Sequence, residues 1–127
     1  MVAKRSLAVH ERVVPQMSEV NLGALKRFSS DASTFTEAGL RYIHLPKLGL
    51  PTGCTPSEAD GLLCMDARDG YPTRLFFSER IATTARTLNW HMTVTVAGTV
   101  WHAFSWNGIP SSESLEVLLG HLNAFVS

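Results

Sequence analysis

The sequence predicts one α+β domain in which an N-terminal helix, an antiparallel meander sheet of four or more strands and a C-terminal helix follow one another, the last helix packing on the sheet. Three observations support this fold class. Short apolar runs alternate with Pro- and Gly-rich connections through the middle of the chain. Residues 91–106 combine strand-like alternation with a short turn. The last part of the chain carries a helical apolar stripe.

Length and composition favour a single globular domain over residues 1–127. A chain of 127 residues can bury one core, and 45% apolar with 17% charged residues is typical of folded proteins. Lysine plus arginine balance aspartate plus glutamate at 11 each, which argues against partners such as nucleic acid or an anionic membrane. A net charge near zero makes a homo-oligomer plausible. With no apolar run of signal-peptide or membrane-spanning length, we expect a cytoplasmic protein.

The N-terminal part predicts an arm over residues 1–16, followed by a helix over 18–29. Ser18 can cap that helix, because a serine hydroxyl accepts hydrogen bonds from free backbone amides of the first turn. Gly23 weakens it by about 1 kcal/mol relative to alanine, so packing must stabilise it. The residues at helical spacing are Leu22, Leu25 and Phe28.

Three segments in the middle of the chain predict strands. Residues 34–46 form one strand or a pair broken near Ala38-Gly39, and a loop rich in proline and glycine follows. Residues 61–65 are continuously apolar, which indicates a buried central strand. Residues 73–78 predict the next strand.

Residues 91–106 predict a β-hairpin closed by a turn at Ala97-Gly98. Counting outward from the turn pairs Val94 with Trp101, and Trp101 then shares an apolar face with the alternating residues of the first strand. We therefore expect Trp101 to be buried. His102 falls on the other face of the hairpin, together with His91.

His102 and His91 are the candidates for chemistry in this hairpin. A histidine can act as a general base, an acyl acceptor or a metal ligand. Two histidines are at most part of a ligand set, since zinc sites use three or more protein ligands, so we predict no metal site and no cofactor. The alternative is a pair of polar residues on a half-exposed sheet face.

The C-terminal helix is predicted over about residues 112–126. Ser111 or Ser112 can cap it, and acidic residues suit its first turn. Gly120 and His121 are expected to lie off the buried stripe. That stripe consists of Leu115, Leu118, Leu119, Leu122 and Phe125.

The two cysteines, Cys54 and Cys64, are expected to be reduced thiols. Because Cys64 lies in an apolar run, we expect it to be a buried core residue. Cys54 lies in a loop and can be exposed, so it is a candidate binding or reactive residue. No zinc-binding spacing accompanies either of them.

The order of short motifs from Tyr71 onward resembles the ubiquitin-conjugating (UBC) family. The family's landmarks are a Tyr-Pro turn, a strand of the type Val-x-Phe-Thr-x-x-Ile, a Gly-x-Ile segment before the catalytic cysteine, a Trp-Ser-Pro segment and a final helix. The corresponding positions here are Tyr71-Pro72, 76–81, 98–100, 108–110 and 115–119. The resemblance covers about half of the chain and implies a divergent bacterial UBC-like fold.

The same resemblance suggests partners and site residues. It implies a ubiquitin-like protein, an adenylating activating enzyme, or both as partners. Where the family has its cysteine this chain has Trp101, followed by His102. Asn89 is the counterpart of the family's asparagine, which helps to stabilise an oxyanion. Trp90, Trp101 and Trp106 are candidates for core packing or for a protein-binding face, since tryptophan is enriched in binding hot spots.

Three functions remain open from the sequence. One is a non-catalytic binding component, or an unconventional transfer component that uses His102, of a ubiquitin-like modification system. Another is an active conjugating enzyme that uses a displaced cysteine. The third is an unrelated small α+β protein that oligomerises.

Overall fold

The computed structural model describes residues 20–109 and 113–126. Over these residues the fold is mixed α and β, with a six-stranded antiparallel sheet, a two-stranded sheet and two short helices. The predicted arm at 1–16 and the predicted caps Ser18, Ser111 and Ser112 lie outside this part of the chain. No helix in it is long and apolar enough to cross a membrane.

Two helices and eight strands make up the described fold, numbered here in chain order. Helix α1 is Leu22–Leu25 and helix α2 is Ser114–Leu122, which continues into a 3₁₀ turn at Asn123–Phe125. The strands are β1 (Ser33–Glu37), β2 (Leu40–Gly49), β3 (Cys54–Thr55), β4 (Glu58–Cys64), β5 (Arg74–Phe77), β6 (Ala82–Thr83), β7 (Trp90–Val96) and β8 (Thr99–Phe104).

The large sheet is a meander only in its first part. Its strand order is β1-β2-β4-β5-β8-β7, and strands β3 and β6 pair separately. The hairpin β7–β8 is turned so that β8 pairs with β5 and β7 forms the edge. Of the two alternatives for residues 34–46, the structure has the pair of strands broken at Ala38-Gly39. The buried strand predicted over 61–65 is confirmed as part of β4.

The N-terminal helix is much shorter than the predicted range 18–29. Asn21 is its cap, with Oδ1 accepting from the amide of Ala24 at 3.2 Å. The chain then turns, leaving Phe28 38% exposed while Ser29 becomes buried. The Ser29 hydroxyl donates to the carbonyl of Pro46 at 2.6 Å. The helical spacing of Leu22, Leu25 and Phe28 therefore does not extend beyond this single turn.

The predicted hairpin register is confirmed. Val94 pairs with Trp101 and Thr93 with His102, and both turn residues, Ala97 and Gly98, have positive φ angles of 51° and 78°. Backbone of this kind matches the twist of a two-residue hairpin. The register shifts between Trp90 and Met92, so His91 is the extra residue of a bulge, which the sequence pattern did not reveal.

The C-terminal helix has a different cap and a different buried face from those predicted. The carboxylate of Glu113 caps it by accepting from the amide of Glu116 at 2.9 Å. Leu119, expected to be buried, is 45% exposed, whereas His121, expected off the stripe, is 4% exposed. The buried positions recur at helical spacing, because packing on the sheet selected a face rotated by about one residue. They are Ser114, Val117, Leu118, His121 and Leu122.

The two faces of the six-stranded sheet bury separate clusters. The helix-covered face packs against α1 and α2 and includes Leu63, Leu75 and Phe77, with Phe77 in ring contact with Phe104 and Phe125. The opposite face, which we call the wrapped face, buries its own cluster. That cluster consists of Tyr42, Leu62, Cys64, Phe76, Val96, Trp101 and Ala103.

Curling of the sheet accounts for the wrapped face. The turns of the β1–β2 and β7–β8 hairpins lie at opposite ends of the sheet, yet the amide of Ala97 donates to the carboxylate of Glu37 at 3.0 Å. Diagonally opposite corners of a sheet meet only when it is strongly twisted and coiled, as in barrels. The two edge strands, β1 and β7, therefore help to cover this second apolar cluster from solvent.

Candidate functional site

Two of the predicted residues, Asn89 and His91, join a polar network at the start of β7. Nδ1 of His91 lies 3.3 Å from the backbone carbonyl of Asn89 and 3.3 Å from the hydroxyl of Ser105. The hydroxyl of Tyr71 in turn donates to Ser105 at 3.2 Å. The bulge at His91 thus directs its ring toward β8 and the Tyr71 turn.

The network lies beside a buried cation, Arg74. Its guanidinium packs 4.1 Å from the centroid of the Tyr71 ring and donates to the carbonyl of Phe104 at 3.3 Å. The nearest carboxylate, Asp69, is at 4.0 Å and is itself held by Arg68 at 2.7 Å. Burial lowers the pKa of Arg74. Because Tyr71 covers it and its exposed fraction is 2%, Arg74 anchors the turn rather than offering an open anion site.

His102 lies apart from that network. It pairs with Phe77 on one side and Thr93 on the other, and it is half-buried. Its Nδ1 is buried and, in the described chain, accepts or donates no hydrogen bond. A buried polar atom without a partner costs about 1–3 kcal/mol. His102 therefore has an unused nitrogen, but the hydrogen bonds that position His91 do not reach it.

The three tryptophans have different surroundings. Trp101 is 5% exposed and its indole donates to the carbonyl of Val96 at 3.3 Å, which confirms the predicted burial. Trp106 is half-buried, donates to the carbonyl of Gly120 at 3.2 Å and lies 5.1 Å below the guanidinium carbon of Arg86. Trp90 is also half-buried, packing 4.9 Å from the Phe104 ring.

A groove runs along the outer side of Trp90. Its volume is about 320 Å³, and it is formed mainly by the connection that carries β6 across the helix-covered face. Arg80 and Arg86 line it together with Leu88. Arg86 also donates to the carbonyl of Ala124, so it ties this connection to the end of α2.

Both cysteines are free thiols, as predicted. Cys64 is fully buried in the wrapped face, and its thiol lies 3.2 Å from the carbonyl of Asp66. Cys54 is half-buried in β3, which pairs it with Thr83 in the small sheet. Burial raises the pKa of both thiols, so little thiolate is present at neutral pH.

Sequence reasoning missed a cavity on the wrapped face. Its volume is about 320 Å³, and its lining includes His44, Asp60, Ser78 and the aromatic residues Phe35 and Trp101. These residues come from separate strands and meet because the sheet curls. One signal was present in the sequence: His44 and Asp60 are polar residues at positions of β2 and β4 that share a face with apolar neighbours. The described chain contains no group of three metal-ligating side chains.

Comparison with known proteins found no matching family model, no similar curated protein and no similar solved structure.

Proposed function

We propose that this chain is a UBC-like binding component of a bacterial ubiquitin-like modification system. In this role it holds the ubiquitin-like protein or its adenylating enzyme and forms no thioester itself. The antiparallel sheet followed by a C-terminal helix is compatible with this proposal, as is the order of motifs from Tyr71 onward. The proposal places the ubiquitin-like protein or its adenylating enzyme on the outer surface of the helix-covered side.

The burial of the thiols is the observation that favours binding over transfer. A thioester requires a thiolate that an activated carboxyl group can reach. The Cys64 thiol has an exposed fraction of 0%, and Cys54 is held in a strand pair with its pKa raised. At the position of the family's nucleophile stands Trp101, which is buried and has no nucleophilic atom.

The groove beside Trp90 is the surface we assign to the partner. Tryptophan and arginine are the residue types most enriched in binding hot spots, and both line this groove. Arg80 is exposed and Arg86 lies over Trp106, so the surface carries positive charge. A complementary acidic surface on the partner would speed association and set orientation.

The test first asks whether a ubiquitin-like protein and an adenylating enzyme are encoded beside this chain, and then uses those two proteins. The purified proteins are incubated with ATP, and intact-mass spectrometry is performed with and without reductant. We expect no thiol-sensitive adduct on this chain and direct binding of one partner by calorimetry. The double variant Cys54→Ser, Cys64→Ser should bind equally well.

Two further variants locate the surface and the chemistry. Arg80→Glu should weaken partner binding about tenfold or more, whereas the matched charge reversal at exposed Arg27 should leave it unchanged. An adduct lost in Cys54→Ser would restore a thioester enzyme, and one lost in His102→Ala would indicate transfer through histidine. The absence of such genes, or of binding by either partner, would contradict the proposal.

A further inference from the structure

The cavity on the wrapped face combines aromatic walls with one acidic group. Phe35 contributes from β1 at one edge of the sheet, and Trp101 contributes from β8 near the other edge. The His44 ring meets Trp101 edge-on, with centroids 5.9 Å apart and planes at 80°. Phe35 stacks on Tyr42 with centroids 5.3 Å apart. These contacts hold the aromatic side chains in place around an open volume.

Asp60 supplies the charge of the cavity, and the backbone holds its carboxylate. The amide of Lys47 donates to Oδ1 of Asp60 at 2.9 Å, within the irregularity of β2 between Leu45 and Leu48. The amide of Ser78 donates to the backbone carbonyl of Asp60 at 3.0 Å, which places the serine side chain beside it. The second carboxylate oxygen has no partner in the described chain.

The lining therefore favours a cation. Of the described residues that line the cavity, Asp60 is the acidic one, and none is a lysine or an arginine. Tryptophan and phenylalanine attract cations through their ring faces, and an adjacent carboxylate adds a charge-assisted hydrogen bond. A volume of about 320 Å³ lies at the lower end of the roughly 300–1,000 Å³ of ligand sites, which suits a single side chain.

We propose that this cavity binds the ammonium or guanidinium group of a lysine or arginine side chain presented by a partner protein. Asp60 would accept its hydrogen bonds, Ser78 would offer a further acceptor, and Trp101 with Phe35 would contact the aliphatic stem and the charge. The site lies on the opposite face of the sheet from the groove beside Trp90. It is independent of whether the partner belongs to a ubiquitin-like pathway.

The test is a titration of the ¹⁵N-labelled full chain with blocked amino acids, followed at the Trp101 indole N–H and the Ser78 amide. The probes are Nα-acetyl-lysine N-methylamide and Nα-acetyl-arginine N-methylamide, with the norleucine analogue as the neutral control. Putrescine represents a free amine. We expect saturable shifts with at least one basic probe, weaker or no shifts with norleucine, and weaker binding of putrescine.

Substitution of Asp60 isolates the charge. Asp60→Asn can still accept from the amide of Lys47, so the fold should persist while the basic probe binds about tenfold more weakly or not at all. Asp31→Asn, at an exposed aspartate outside the cavity, is the matched control and should bind as the parent does. If Asp60→Asn fails to fold, binding of the basic probes is measured in Phe35→Leu instead. This variant keeps an apolar wall but removes the aromatic ring, so the probes should bind more weakly.

Each outcome has a consequence for the proposal. Binding of lysine that falls in Asp60→Asn or in Phe35→Leu supports it. Equal binding of norleucine, or undiminished binding in a folded Asp60→Asn variant, would overturn it. Tighter binding of putrescine than of both blocked amino acids would assign the cavity to free amines and overturn the role of a protein partner.

Discussion

The two faces of the six-stranded sheet solve the problem of burying polar groups in different ways. On the helix-covered side, the buried polar residues include Ser29, Thr73 and Ser114, which are neutral and have hydrogen-bond partners at 2.6–3.0 Å. On the wrapped face, the buried polar residue is the cation Arg74, and a cavity contains the carboxylate of Asp60. A charge and an open volume are both costly in a core, so the wrapped face is the less favourably packed of the two.

The largest expected effect tests whether the wrapped face is a true second core. Trp101→Ala should lower the free energy of unfolding by about 3–5 kcal/mol, because a buried tryptophan leaves a cavity behind. Urea denaturation followed by circular dichroism measures it. Val100→Ala, at the neighbouring residue that is 53% exposed, is the control and should change stability by less than about 0.5 kcal/mol. Equal effects of the two substitutions would show that Trp101 is not part of a core, and that the wrapped face is therefore not a second core.

The next effect tests the neutrality of the helix-covered face. Burial, with a smaller effect of the Arg74 charge, lowers the pKa of His121 to about 3 from 6.5. Its Nε2 lies 3.0 Å from the Thr73 hydroxyl. Between these two pH values the unfolded chain binds a proton at His121 that the folded chain does not bind. The contribution of His121 to the free energy of unfolding is therefore fully present above pH 6.5 and is lost as the pH decreases toward 3.

The measurement compares the unfolding free energy of the parent and His121→Gln from pH 7 to pH 4. The parent should lose up to roughly 1.4 kcal/mol per pH unit more than the variant, since the carboxylates common to both cancel. Parallel pH profiles of the two proteins would show that His121 is charged in the folded state.

The smallest effect tests the contact that curls the sheet. Glu37→Ala removes the acceptor of the Ala97 amide and should cost at most about 1 kcal/mol, because the bond is exposed. Glu37→Gln keeps an acceptor and is the control, with stability close to that of the parent. Thermal unfolding at neutral pH separates them. A loss as large as that expected for Trp101→Ala would mean that this single contact holds the wrapped face closed.

The fold was predictable where local pattern and tertiary packing agree. Alternation in β7 and the turn at Ala97-Gly98 predicted the hairpin register, because a slip of one residue would have turned Trp101 toward the other face. The bulge at His91 was not predictable, since it depends on pairing with β8. The face of α2 was mispredicted because His121 fills a core position by pairing with Thr73, a residue 48 positions away.

Less of the candidate site could be predicted. His91 was singled out and does join a network, in which Asn89 takes part through its backbone carbonyl and not through the predicted side-chain amide. Ser105 and Tyr71 complete the network through contacts that bring distant residues together. The cavity around Asp60 could not be foreseen, because its walls come from opposite edges of the sheet. Curvature of the whole sheet creates it, and no local motif records that curvature.

The reactivity of the two thiols tests most directly whether the curled sheet buries the part of the wrapped face around Cys64. Cys64 is fully buried on that face, and Cys54 is half-buried in the small sheet. The native chain is treated with a maleimide, and labelling at each cysteine is followed by peptide mass spectrometry in increasing urea. We expect Cys54 to react first, and Cys64 to react only as the whole domain unfolds. Labelling of Cys64 in the absence of urea as fast as that of Cys54 would contradict the burial of the wrapped-face cluster around Cys64.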